Sequence, residues 1–109
     1  MWSVYLCRCV SLWRALGVQA TAYAAPARET DLSGLPATYL DTGDLDIFRA
    51  EIVGHAARLA AAGVPTELHV YPGCPHGFEL LAPAAAVSRH AVDNRVRRLQ
   101  ALRDDTPAE

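Results

Sequence analysis

The sequence contains no lysine. It also lacks the features that indicate binding to nucleic acid or insertion into a membrane. All ten basic residues are arginines, and twelve acidic residues leave a net charge of −2. The arginines are scattered, so we expect no nucleic-acid partner. The three cysteines, Cys7, Cys9 and Cys74, build no disulfide framework and lack the further ligands of a zinc site. No apolar run reaches the roughly 18 residues of a membrane span. We therefore expect reduced thiols and a cytoplasmic protein without a membrane span.

The composition is that of a globular protein, with 51% hydrophobic and 20% charged residues. A chain of 109 residues provides one small domain or a part of a larger one. We divide it into an N-terminal segment over residues 1–20, a folded part over residues 21–104 and a frayed tail over residues 105–109. In the N-terminal segment, large apolar side chains recur every three to four residues, which fits an amphipathic helix.

Two short strands and two longer helices are predicted in the folded part. Apolar runs bounded by proline and glycine predict strands over about residues 36–42 and 66–71. Helical periodicity predicts helices over about residues 47–62 and 83–103. Because a helix connects the two strands, they form a βαβ unit with parallel strands. The predicted fold class is therefore α/β.

Each predicted helix has one apolar side that we expect to face the core. In the first helix this side consists of Phe48, Ile52, Ala56, Leu59 and Ala60. In the second helix it consists of Val92, Val96, Leu99 and Leu102. The arginines near the end of the chain are expected on the solvated side of the second helix: Arg95, Arg97, Arg98 and Arg103.

Acidic side chains and a histidine follow the two predicted strands. Asp44 and Asp46 come after the first strand, and His76 comes after the second. The carboxyl ends of parallel strands lie at one edge of a sheet, where ligands bind, so this topology can bring an aspartate and the histidine together. A carboxylate beside an imidazole fixes its tautomer and supports proton transfer, as in a serine hydrolase triad. The structural alternatives are that the aspartates only cap the next helix and that His76 only hydrogen-bonds a turn.

Four sequence blocks, in this order, are similar to the C-terminal third of a known hydrolase family. They read YAAPAR from Tyr23, DLSGLPATYLDTGDLDIFRAE from Asp31, AARLAAAGVPTELHVYPG from Ala56 and PHGF from Pro75. Through them the chain resembles the hormone-sensitive-lipase-like carboxylesterases, also called the α/β hydrolase fold-3 family, over about residues 13–102. The resemblance implies the C-terminal portion of an α/β hydrolase fold. It also implies hydrolysis of small-molecule carboxylic esters by a Ser-Asp-His triad, with no cofactor and no metal.

The resemblance assigns roles to two residues. The family's acid lies in a G-x-x-D-P-x-R-D-E-type block, which places it at Asp46, and the family's base lies in an H-G-F block, which places it at His76. The chain departs from the pattern at Ile47, where the family usually has proline, and at Ala50, where it usually has aspartate. Proline at the first helical position mainly fixes φ, and neither change removes the acid.

The family's nucleophile is not found in these 109 residues. An α/β hydrolase carries its serine in a G-x-S-x-G elbow, preceded by an HGGG-type oxyanion loop. No serine of the chain has that context: Ser3, Ser11, Ser33 and Ser88. We therefore expect a C-terminal fragment that carries the acid and the base and is inactive as a lone chain. Its expected partner is a second copy of itself or a separate N-terminal half.

Other interpretations stay open. The stretch AAGVPTELHVYPG and the HGF block occur in similar form in prolyl-oligopeptidase-like serine peptidases. A non-catalytic truncated module would self-associate through its exposed sheet edge. Cys74 is a weak replacement for the serine, because nothing near it in the sequence favours a thiolate. The histidines do not stand at the paired spacing of metal ligands: His55, His69, His76 and His90.

Overall fold

A computed structural model describes residues 29–104. Within them, strands and helices alternate at first and then give way to two successive helices. The order is β1 (Thr38–Gly43), α1 (Arg49–Ala61), β2 (Thr66–Tyr71), α2 (Phe78–Leu81) and α3 (Ala86–Asp104). The predicted N-terminal helix and the predicted frayed tail lie outside the described residues, and the division of the chain stays a prediction.

The two strands pair in parallel, as the βαβ pattern predicts. Their register runs from Thr38 opposite Thr66 to Gly43 opposite Tyr71. Strand β1 begins two residues later than predicted, because Pro36 has no N–H to give to a ladder. The first hydrogen bond between the two chain segments is instead the one from the Thr38 N–H to the Pro65 carbonyl, at 2.8 Å. The α/β fold class is confirmed.

Helix α1 is shorter than predicted at both ends. At its start, the Arg49 N–H donates to the Asp46 carbonyl at 3.1 Å, so the preceding residues form a turn. At its end, the Val64 N–H donates back to the Leu59 carbonyl at 3.0 Å, and the neighbouring N–H groups also return to the last turn. These bonds satisfy carbonyls that a helix end would otherwise leave without a partner.

One face of the sheet packs against α1. The buried cluster on this side consists of Leu32, Leu40, Ile52, Ala56, Leu59 and Val64, with Phe48 and Leu68 partly buried beside it. The prediction that Ala60 faces the core is wrong, because Ala60 is exposed and His55 is buried in its place. Burial lowers the pKa of His55, and the positive charge of Arg58 lowers it further.

The other face of the sheet is covered at one end by α2 and α3. Here the buried cluster consists of Tyr71, Cys74, Phe78 and Ala91, with Val87 partly buried beside it. The Asn94 side-chain amide donates to the Tyr71 hydroxyl at 3.0 Å. Helix α3 begins at Ala86 rather than at residue 83, because the Ala85 N–H donates to the Ala82 carbonyl and makes a turn first. Helix α2, which carries Phe78, was not predicted.

The apolar stripe of α3 does not face this core. Val92, Val96 and Leu99 are 43–49% exposed, and the side chain of Leu102 lies outside the described part. The side that packs inward instead contains the small residues Ser88 and Ala91. Small side chains let the helix approach α2 closely, whereas the larger residues remain on the outer side. The predicted orientation of this helix is therefore wrong.

Candidate active site

Two loops meet at the carboxyl ends of the strands. We call residues 44–48 the acid loop and residues 72–77 the histidine loop. The acid loop is hydrogen-bonded to the end of β2 and to the histidine loop: the Asp44 N–H donates to the Tyr71 carbonyl at 3.0 Å, and the Leu45 N–H donates to the Cys74 carbonyl at 3.1 Å. A Cβ atom at Gly43 would lie 1.9 Å from the Cys74 carbonyl oxygen. Glycine is therefore required at the end of β1 by the close approach of the two loops.

Asp44 connects the two loops and does not contact the histidine. Its Oδ1 atom accepts a hydrogen bond from the Gly73 N–H at 2.6 Å. Charge-assisted hydrogen bonds of this kind are the stronger ones in proteins. Of the two aspartates in the acid loop, Asp44 thus holds the histidine loop in place by its backbone.

Asp46 is the aspartate that contacts His76. Its Oδ2 atom lies 2.8 Å from His76 Nδ1, and its Oδ1 atom accepts the Phe48 N–H at 2.9 Å. The first contact orients the imidazole, and the second fixes the turn that precedes α1. The alternative that the aspartates only cap the next helix is not realised, because α1 has no side-chain cap hydrogen bond; Asp46 instead fixes the turn before the helix while it contacts His76.

The contact determines which imidazole nitrogen carries the proton. An ionised carboxylate only accepts hydrogen bonds, so the Nδ1–H of His76 donates to Asp46. In the neutral ring this leaves Nε2 with its lone pair. The Asp46 side chain is 7% exposed, whereas the His76 side chain is 71% exposed. A buried carboxylate thus holds an imidazole that is open to an incoming group.

The residues around His76 explain why its position is well defined. Gly77 has φ +69°, a left-handed conformation that favours glycine and turns the chain into α2. Phe78 then inserts into the cluster with Tyr71 and Ala91. The Phe48 ring meets the imidazole edge-on, with 5.6 Å between the ring centres. The histidine is therefore held between an acid, an aromatic ring and a buried anchor.

Arg95 makes a set of contacts that the sequence did not indicate. Its guanidinium donates twice to Asp41 in β1, at 2.5 Å and 3.0 Å, and once to Glu79 in α2, at 2.9 Å. The prediction of a solvated arginine face is wrong for Arg95, which is partly buried. It is incomplete for Arg97, which is exposed but pairs with Glu67. These partners are distant in the chain, so the spacing along α3 carried no signal for them.

The charges of this network affect its acidic members. Burial alone would raise the pKa of Glu79, but the hydrogen bond from Arg95 and the nearby charges of Arg95 and His76 bring it below its ordinary value. The hydrogen bond to Asp41 raises the pKa of Arg95, against the opposing effect of burial. The guanidinium and the Glu79 carboxylate are therefore both charged at neutral pH.

The other candidate residues lie elsewhere or have other partners. Cys74 is buried, and its thiol contacts the Pro72 carbonyl at 3.4 Å. Ser88 is buried and donates to the Phe78 carbonyl, and the Ser33 hydroxyl donates to Asp31. Within the described residues, no three histidine, cysteine or acidic side chains are grouped so that they could hold a metal ion. Across residues 29–104, no helix combines the length and the apolar character of a membrane span.

Comparison with known proteins gives a consistent set of relatives. The model of a family described as alpha/beta hydrolase fold matches residues 4–80. Carboxylesterase NlhH of Mycobacterium tuberculosis is 44% identical over 59 residues, which are 51% of this chain and 18% of that protein. Among solved structures, a bacterial heroin esterase is similar with 50% identity and a TM-score of 0.66, over 70% of this chain and 24% of that one. Esterase LipW from Mycobacterium marinum is similar with 40% identity and a TM-score of 0.68, over 74% of this chain and 26% of that one.

The shares of the relatives that are covered are small. The chain matches between 18% and 26% of the length of these three proteins. The family-model match over residues 4–80 includes both loops of the site.

Proposed function

The chain belongs to the α/β hydrolase fold-3 family, and we propose that it supplies the acid and the base of an ester-hydrolysing triad. Asp46 is the acid and His76 is the base. The observation that carries the proposal is the 2.8 Å contact between Asp46 Oδ2 and His76 Nδ1, which joins the two loops at the carboxyl end of a parallel βαβ unit. The family resemblance assigns the same two positions.

The mechanism follows from the proton on Nδ1. With Asp46 holding Nδ1–H, Nε2 accepts the proton of a serine hydroxyl as its oxygen attacks the ester carbonyl. The buried carboxylate stabilises the imidazolium that forms. His76 then gives the proton to the leaving alcohol as the ester C–O bond breaks, which leaves the acyl group on the serine. A water molecule attacks that acyl group while Nε2 takes its proton, and His76 returns this proton to the serine oxygen as the acid is released. The substrates proposed are small carboxylic esters, because NlhH and the heroin esterase are named for ester hydrolysis.

The nucleophile of this reaction is not among the 109 residues, because none of the serines stands in a G-x-S-x-G elbow. We propose that the chain turns over no ester by itself and that polypeptide outside these residues supplies the serine and the oxyanion hole. Oxyanion donors are usually the largest single contribution to such catalysis, so an acid and a base alone give little acceleration.

Two measurements test the proposal. The purified chain should hydrolyse p-nitrophenyl acetate no faster than its His76→Ala variant. Mixed or co-expressed with the preceding part of a family esterase, truncated before that enzyme's own acid, it should restore turnover that is lost with Asp46→Asn and with His76→Ala. The matched control is His90→Ala, which changes an exposed histidine in α3. Restored turnover that is independent of His76 would refute the assignment.

A second candidate function is self-association without catalysis. Val92, Val96 and Leu99 form an exposed apolar stripe on α3, and Val70 in β2 is exposed as well. An apolar stripe of this kind favours contact with another surface. Size-exclusion chromatography of the wild-type chain and of a Val96→Glu variant would test it, since a concentration-dependent dimer that Val96→Glu dissociates would support this candidate. The peptidase alternative gains no support from the three relatives above, which are all named as esterases.

A further inference from the structure

We propose that Arg95 is a positioning residue for His76 and that it acts through Glu79. This inference rests on the proposed role of His76 as the base. It adds a residue of α3, outside both loops of the site, to the set that determines whether the imidazole stays on Asp46.

The histidine loop needs support on the side of α2. The His76 side chain is largely exposed, and the chain leaves it through the left-handed Gly77 directly into the four residues of α2. So short a helix has little stability of its own. Glu79 is in its first turn, three residues after His76, and its Oε1 atom accepts Arg95 Nη1–H at 2.9 Å. Arg95 therefore holds the first turn that follows the base.

Arg95 is itself fixed by the sheet. Two of its N–H groups bind the two oxygens of Asp41, which lies inside β1 and also accepts a hydrogen bond from the Tyr39 hydroxyl at 3.2 Å. A bidentate contact sets the plane of the guanidinium and therefore the direction of its remaining N–H groups. Through Arg95, the position of Glu79 is thus fixed relative to β1, the strand that leads into the acid loop. Asp46 and His76 are therefore both positioned relative to β1. The acid loop follows β1 directly in the chain, whereas the turn after His76 is connected to β1 through Glu79, Arg95 and Asp41.

The three side chains are buried enough for their ion pairs to fix their positions. Asp41 and Glu79 are 13% and 20% exposed, and Arg95 is 33% exposed. Ion pairs that are fully exposed contribute little, whereas partly buried pairs with bidentate geometry position their groups more firmly. The negative charge of Glu79 also lies near enough to His76 for the two side chains to interact electrostatically.

The test measures where the proton of the neutral His76 ring lies, and it requires no turnover. Long-range proton–nitrogen correlation spectra of the 109-residue chain, labelled with 15N-histidine, give the ratio of the Nδ1–H to the Nε2–H tautomer. A His76→Gln spectrum identifies the signals. Asp46→Asn should abolish the preference for Nδ1–H. Arg95→Met and Glu79→Gln should each lower the ratio by about three- to tenfold, because the first removes the donor to Glu79 and the second removes the acceptor's charge.

Three further variants make the test specific. Arg97→Met is the matched control, because Arg97 lies in the same helix but pairs with Glu67 in β2; it should leave the ratio unchanged. The double variant Arg95→Met/Glu79→Gln should be no worse than Arg95→Met alone, because without Arg95 the Glu79 side chain has no contact with the guanidinium left to lose. Arg95→Lys should not restore the wild-type ratio, since an ammonium group cannot bind Asp41 and Glu79 in the same fork geometry.

The outcomes separate this inference from the proposed function. If Asp46→Asn leaves the ratio unchanged, the acid–base assignment fails. If Asp46→Asn removes the preference while Arg95→Met and Glu79→Gln resemble the wild type, the assignment stands and the role of Arg95 is refuted. Should Arg95→Met fail to fold because Asp41 loses its partner, Glu79→Gln decides, since it leaves the contacts between Arg95 and Asp41 intact.

Discussion

Gly43→Ala is the substitution that most directly tests how the two loops are held together. The new Cβ would lie 1.9 Å from the Cys74 carbonyl oxygen and 2.6 Å from its carbonyl carbon. Both are backbone atoms, so no side-chain rotation relieves the contact. Since Cβ atoms do not approach other atoms closer than about 3.0 Å, the histidine loop has to move away by about 1 Å.

That displacement affects every bond between the loops. The two hydrogen bonds between the loops, from the Leu45 N–H to the Cys74 carbonyl at 3.1 Å and from the Gly73 N–H to Asp44 Oδ1 at 2.6 Å, both exceed hydrogen-bonding range after a further 1 Å. Overpacking costs about 1–3 kcal/mol, and each broken hydrogen bond adds about 1 kcal/mol. We expect the free energy of unfolding to fall by about 3–5 kcal/mol. The Asp46–His76 contact should lengthen from 2.8 Å beyond hydrogen-bonding range.

Urea unfolding followed by circular dichroism measures the change in stability. Gly54→Ala is the matched control, because Gly54 lies inside α1 and an added Cβ there meets nothing within 4 Å. Alanine is the better helix former, so the control should gain about 0.5–1 kcal/mol. In the complementation assay, a base displaced by 1 Å should lower turnover by about 100-fold. If Gly43→Ala were as stable as Gly54→Ala, the close approach of the loops would be refuted.

Three further substitutions have defined outcomes. Gly77→Ala should lower stability by about 1–2 kcal/mol in the same urea assay, because the left-handed backbone is strained for alanine although space for a Cβ is available; an unchanged midpoint would contradict this. The pKa of Glu79 is lower in the folded state than its ordinary 4.5, so its contribution to stability is present above that pH and is lost as the pH falls through the folded-state pKa. In Glu79→Gln, the free energy of unfolding should therefore decrease less than in the wild type as the pH falls below about 4.5. A larger decrease than in the wild type would count against the ion pair with Arg95. The pKa of His55 is also lowered, which for a base means that the unfolded chain binds the proton more readily and that stability falls as the pH drops below about 6.5; His55→Gln should remove that part of the pH dependence, whereas His90→Gln should leave it unchanged.

The sequence predicted the parts of the fold that depend on local pattern. The βαβ unit follows from apolar runs and helical periodicity, and the family resemblance is confirmed by the match over residues 4–80. The convergence of parallel strand ends predicted that Asp44 or Asp46 would meet His76, and the family resemblance selected Asp46. The catalytic roles of the two residues stay predictions.

The features that were missed depend on contacts between distant residues. Arg95 and Asp41 are 54 positions apart, and no periodicity within α3 indicates such a partner. Helix α2 has four residues, too few for a period to be visible. The stripe of Val92, Val96 and Leu99 was correctly found as apolar, but the pattern alone did not show that the small residues Ser88 and Ala91 would make the inward contact.

The two oxygens of Asp46 have a consequence for how this gene would change under relaxed selection. One oxygen contacts His76 and the other fixes the turn before α1, so we expect folding alone to favour Asp46 where the proposed catalytic role is lost. The imidazole of His76, by contrast, is 71% exposed. Among natural variants of this chain, substitution at position 76 with an unchanged aspartate at 46 would therefore mark the loss of the proposed role as base, and the aspartate alone would carry no such information.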